Sequence, residues 1–126
     1  MKGRKQELTK ATLHAYLANG FGVQSIHSEY GMTELLSQAY SDGVGIFECA
    51  PWMKIKISDN TDPFSFVNQN KSGVINVIDL ANINSCCFIQ TQDIGKIIPS
   101  SNEKNQFEVL GRIDYSDVRG CSLLTV

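Results

Sequence analysis

The chain has 126 residues, 42% of them hydrophobic and 19% charged, and a formal net charge of −2. That is enough chain for one domain with a buried core, while scattered basic residues on a slightly acidic background exclude the electrostatic footprint of a nucleic-acid binder. No run approaches the roughly 18 apolar residues of a membrane span, and no apolar stretch follows the basic residues 1–6, so the expected location is the cytoplasm.

In chain order, Thr9 is placed to cap a helix over residues 10–19, with Leu13, Tyr16 and Leu17 on one face and Gly20 as its stop. A short strand from Val23 to Ser28 follows. Leu35, Leu36 and Ala39 at helical spacing predict a second helix over residues 33–39. Residues 1–45 therefore read as helix, strand, helix, the remnant of an α/β layer.

After the loop at 41–45 the pattern changes to period two. Met53, Ile55 and Ile57 alternate with Lys54 and Lys56, a strand with one buried face. Further strands are expected at 74–80, 87–91, 97–98 and 107–110, with turn chemistry at 59–63 and 68–73. Residues 46–126 thus predict a small distorted β-barrel, giving an α+β fold in a single domain. Cys49, Cys86, Cys87 and Cys121 show neither C-x-x-C spacing nor a neighbouring histidine, so no zinc site or disulfide framework is expected, and the first three read as buried thiols.

The chemistry is concentrated in Ser28-Glu29-Tyr30-Gly31-Met32-Thr33-Glu34 at the predicted strand-to-helix turn, the kind of place where α/β sheets hold ligands. Tyr30 offers a flat face for a base, Gly31 room for the backbone to bend, Thr33 a hydroxyl, and Glu34 a hard oxygen for Mg²⁺. A second cluster, Thr91-Gln92-Asp93-Ile94-Gly95, presents a carboxylate suited to ribose hydroxyls, or a simple turn. A third, Gly111-Arg112-Ile113-Asp114, carries a five-donor guanidinium that suits ribose and phosphate, or a solvated ion pair. His14 and His27 read as structural.

Tyr-Gly-x-Thr-Glu, followed in order by the Asp93 and Arg112 clusters, resembles the AMP-forming acyl-adenylating enzymes. Gln92 stands where those enzymes have glycine, and Asp114 comes one position early. Residues 27–40, 75–82 and 119–123 resemble the LuxE-type acyl-protein synthetases (long-chain fatty-acid–protein ligases) in particular. The resemblance implies a C-terminal portion of an enzyme that uses ATP and Mg²⁺ to activate a fatty acid as acyl-AMP and passes the acyl group to a cysteine for delivery to a reductase or other acceptor protein. It implies adenine on Tyr30 and Gly31, the α-phosphate on Thr33, Mg²⁺ on Glu34, and ribose on Asp93 and Arg112. Cys121 becomes the acyl acceptor, although a buried thiol is the plainer reading of that residue.

The 126 residues contain no Ser/Thr/Gly-rich phosphate loop and no segment large enough for an acyl pocket, so the isolated chain is expected to be inactive without an N-terminal portion. An exposed sheet edge would favour self-association. The alternative is a non-catalytic nucleotide-binding or regulatory remnant.

Overall fold

The structure is a computed structural model that describes residues 8–100 and 105–113. Thr9 caps helix α1 (Lys10–Phe21) by accepting from the Thr12 amide, and Gly22 ends it in the left-handed conformation, its amide donating to the Ala18 carbonyl. The stop falls at Gly22 rather than Gly20 because Gly22 is the residue that adopts positive φ, 66°. None of its residues is buried: Leu13, Tyr16 and Phe21 are all exposed, so α1 adds no side chain to the buried core.

Seven strands make one antiparallel sheet: β1 (Ser28–Tyr30), β2 (Ala39–Ser41), β3 (Ile46–Glu48), β4 (Met53–Ser58), β5 (Gly73–Asp79), β6 (Phe88–Ile98) and β7 (Gln106–Arg112). Their order is β1-β2-β3-β7-β6-β5-β4. A 3₁₀ turn, Leu80–Asn82, follows β5.

The expected helix over 33–39 does not form. From Leu35 to Ser41 buried and exposed residues alternate strictly, with Leu35, Ser37, Ala39 and Ser41 inside and Leu36, Gln38 and Tyr40 outside. This is period two, hidden in the sequence because two of the inward residues are serines. The Leu36 and Ser37 amides, which a helix would have bonded to its own carbonyls, instead donate to the Asp79 carboxylate at 2.9 Å each. Tertiary hydrogen bonds override helical propensity here. The helix-strand-helix layer is therefore replaced by one helix and a β-meander. The strands expected at 87–91 and 97–98 are one continuous β6, bent by a register shift between Ile94 and Gly95 where it pairs with β7.

The sheet is curled without closing into a barrel, since β1 and β4 are its two edges and do not pair. The connection from β3 to β4 shows why it curls. Four strand spacings of about 4.8 Å separate them in the sheet. Only residues 49–52 join them, and those are tightened further by a turn in which the Met53 amide donates to the Ala50 carbonyl. A flat sheet would be too wide for that short, bent link.

Tyr30, Leu35, Ala39, Phe47, Met53, Ile55, Ile57, Ile75, Val77 and Phe107 fill the concave side. At their centre, the Tyr30 ring meets Phe47 and Phe107 edge-on with centroids 5.9 and 5.2 Å away. The Lys10 ammonium lies 4.2 Å from the Phe47 ring centroid and ties α1 to this cluster, its pKa lowered by partial burial.

Candidate functional site

Curling brings strands that are distant in the sheet close through their side chains. The Tyr30 hydroxyl on β1 donates to Asp93 Oδ2 on β6 at 2.8 Å. Arg112 on β7 is the cross-strand partner of Asp93, with Nε 3.9 Å from Oδ1. Tyr30, Asp93 and Arg112 thus meet although they lie far apart in the sequence. Asp93 lies inside β6 rather than at a strand end, and its amide donates to Thr91 Oγ1, whose hydroxyl in turn donates to the Ile75 carbonyl. The Arg112 side chain is 72% exposed and that of Asp93 22%, so this carboxylate–guanidinium pair faces solvent over a buried phenol.

Tyr30 itself departs from expectation. At 9% exposure, with its ring edged into Phe47 and Phe107, it has no open face for a base. Its hydroxyl fixes the orientation of Asp93 instead. Burial, reinforced by the hydrogen bond to Asp93 and that carboxylate's charge, raises its pKa against smaller opposing effects of Thr91 and Arg112.

Thr33 and Glu34 are exposed on the turn between β1 and β2. Gly31 adopts no positive φ; a methyl group there would come within 3.0 Å of Gln38 Cγ, so proximity to that side chain sets its constraint. The turn is anchored from below by residues to which the sequence motifs assigned no role. Asp79 is fully buried and accepts from the amides of Leu36, Ser37 and Ala81 and from Ser37 Oγ. Burial pushes its pKa up, but these hydrogen bonds outweigh that and hold it below the ordinary carboxylate value. Ser37 Oγ also accepts from Trp52 Nε1 at 2.8 Å, and Asn82 Nδ2 donates to the Glu34 carbonyl at 2.8 Å and the Cys86 carbonyl at 2.9 Å. The sequence signal was a polar Asp-x-x-Asn directly after an apolar strand, which reads as an ordinary strand end.

His14 Nε2 and Ser28 Oγ are 3.0 Å apart, and His27 lies 3.7 Å from Asp42, both at the periphery. A groove of about 570 Å³ is lined in part by Tyr40, Glu48 and Gln106; none of Tyr30, Thr33, Glu34, Asp93 or Arg112 borders it. Among the described residues, no group of three or more His, Cys, Asp or Glu could hold a metal by itself. No described helix is long and apolar enough to cross a membrane. Cys86 is exposed and Cys87 half-buried, contrary to the expected buried thiols, whereas the half-buried Cys49 thiol is pushed up to about 12 by burial and the nearby Glu48 charge. Cys121, Asp114 and the segment 119–123 lie outside the described residues.

No protein-family model and no curated protein matches the chain. Among solved structures, it is similar to the luciferase-like enzyme from the nonluminescent mealworm Zophobas morio, with a TM-score of 0.53 and 21% identity over 79% of this chain. The match spans 28% of that enzyme's length. At this identity the likeness is one of fold. It also corrects the LuxE-type assignment, because the structural neighbour belongs to a different family from those bacterial synthetases.

Proposed function

We propose that this chain is the nucleotide-facing part of an adenylate-forming, ligase-like enzyme that activates a carboxylic acid. The observation that carries the reading is the meeting of Asp93 and Arg112 at an exposed surface, with Asp93 oriented by Tyr30, on a fold similar to that of a luciferase-like enzyme. A carboxylate beside a guanidinium suits a nucleotide: Asp93 accepts from ribose hydroxyls, and Arg112 donates to ribose or phosphate oxygens. Thr33 supplies a hydroxyl donor for the α-phosphate.

Glu34 is a fitting ligand for Mg²⁺ even without companions, because this ion is commonly held by one or two carboxylates together with substrate phosphates and water. Bound there, the metal would supply charge neutralisation for the phosphates. Tyr30 acts beneath the nucleoside by orienting Asp93.

The reaction of the complete enzyme would be attack of a carboxylate oxygen on the α-phosphorus of ATP. The bond to the bridging oxygen breaks, and pyrophosphate leaves with the acyl-adenylate remaining. Fatty acids are the proposed substrates, with onward transfer of the acyl group to Cys121 or an acceptor protein as the finer step. The 126 residues lack a glycine-rich phosphate loop, which supports a role in binding rather than completing the reaction alone. That same observation favours the second reading, a non-catalytic nucleotide-binding remnant.

Calorimetric titration with adenosine and with Mg·ATP tests the binding half. Both should bind, and Asp93→Ala should weaken both by about tenfold, the loss of one charge-assisted hydrogen bond. Equal affinities for Asp93→Ala and the unaltered chain would refute the site. Isotope exchange between pyrophosphate and ATP across acids of increasing length separates the ligase reading, which requires exchange, from the remnant.

A further inference from the structure

We infer that Asp79 is a positioning residue that holds the Thr33–Glu34 turn in place for phosphate and metal, with Asn82 as its second clamp; this rests on the nucleotide reading above. The turn has no regular secondary structure of its own between β1 and β2 beyond one bond, from the Leu35 amide to the Met32 carbonyl. Its conformation is imposed by two buried polar side chains. Asp79 accepts from the Leu36 and Ser37 amides and the Ser37 hydroxyl, while Asn82 donates to the carbonyl of Glu34 itself.

The Glu34 peptide unit is thus gripped on its carbonyl side by Asn82 and, two residues on, at the amides of Leu36 and Ser37 by Asp79. Thr33 and Glu34 remain exposed at the top. This is the arrangement by which buried hydrogen bonds aim an outer ligand, as partners behind metal-binding carboxylates do. A fully buried carboxylate satisfied by four donors also resists movement, because releasing any of them would strand a buried acceptor. Trp52 adds a third hold through Ser37 Oγ.

The two halves of the proposed site have separate supports. Asp93 and Arg112 sit on the β6–β7 ladder, whereas Thr33 and Glu34 depend on Asp79 and Asn82. Asn82→Ala should therefore lower Mg·ATP affinity by about tenfold, as loss of a partner behind a metal ligand does, with adenosine affinity within about twofold of the original. Asp79→Asn should act in the same direction and more strongly. Amide hydrogen exchange read in parallel should show faster exchange at Leu36 and Ser37 in Asp79→Asn, with Ile75 and Val77 still protected.

If Asp79→Asn does not fold, Asn82→Ala decides the matter by its ligand split. Equal weakening of adenosine and Mg·ATP, or exchange rising across β4 to β7 together with the turn, would reduce both residues to general stabilisers and overturn the inference. An unaltered chain that binds neither ligand sinks the nucleotide reading. The exchange measurement then judges the anchoring separately: unchanged exchange at Leu36 and Ser37 in Asp79→Asn overturns it.

Discussion

Tyr30 shows how one side chain can serve the core and the surface at once. Its ring adds to the aromatic cluster and its hydroxyl reaches a mostly buried carboxylate, so deprotonating it would leave a charge in a buried site and set it 2.8 Å from a second negative charge. The folded pKa therefore lies above the unfolded phenol value of 10.0. A raised folded pKa contributes stability that is fully present below the unfolded value and is lost as pH rises through the folded one. Tyr30→Phe should cost about 2 kcal/mol at neutral pH, as expected for a hydrogen bond to a charged acceptor. Its melting temperature should also fall less steeply above pH 10 than that of the unaltered chain, the value where a free phenol titrates. Parallel pH profiles for the two proteins would show that folding does not raise the Tyr30 pKa.

Among the elements, β6 depends on a small residue where it bends. A methyl group on Gly95 would lie 2.5 Å from the Glu108 carbonyl oxygen and 2.6 Å from Ile75 Cδ1, where β6 shifts register against β7. Gly95→Ala should cost about 2 to 3 kcal/mol by overpacking between two strands, measured by chemical denaturation with an unchanged slope. A variant as stable as the original would mean that the ladder relaxes freely at this shift.

The strands were the legible part of the sequence because Met53-Lys54-Ile55-Lys56-Ile57 writes its burial in plain apolar alternation. The segment 35–41 did not, since its inward positions are shared by Leu35, Ala39 and two serines, and Leu35-Leu36 imitates a helical face. Likewise Tyr30, Asp93 and Arg112 could be picked out by residue type, but Asp79 and Asn82 could not. Their importance lies in backbone amides and carbonyls from another part of the chain, and backbone groups leave no mark in a sequence.

At the scale of the whole molecule, the strand order contains two runs of sequential neighbours, β1-β2-β3 and β4-β5-β6-β7, joined where β3 pairs with β7. That junction sets Ile46 opposite Glu108 and Phe47 opposite Phe107. The rest of the sheet is built from neighbours in sequence. The order of strands is therefore also a timetable. The ladder from β4 to β7 can zip up by pairing each strand with the next in sequence, whereas the β3–β7 junction must close the long stretch of chain from Phe47 to Phe107, at the greatest entropic cost in the sheet. The four-strand ladder should form the folding nucleus and the first three strands should dock afterwards. In stopped-flow measurements Ile75→Val should slow refolding, while Phe47→Leu should speed unfolding and leave refolding nearly unchanged. Slowed refolding in Phe47→Leu would reverse that order and make the junction itself the first event.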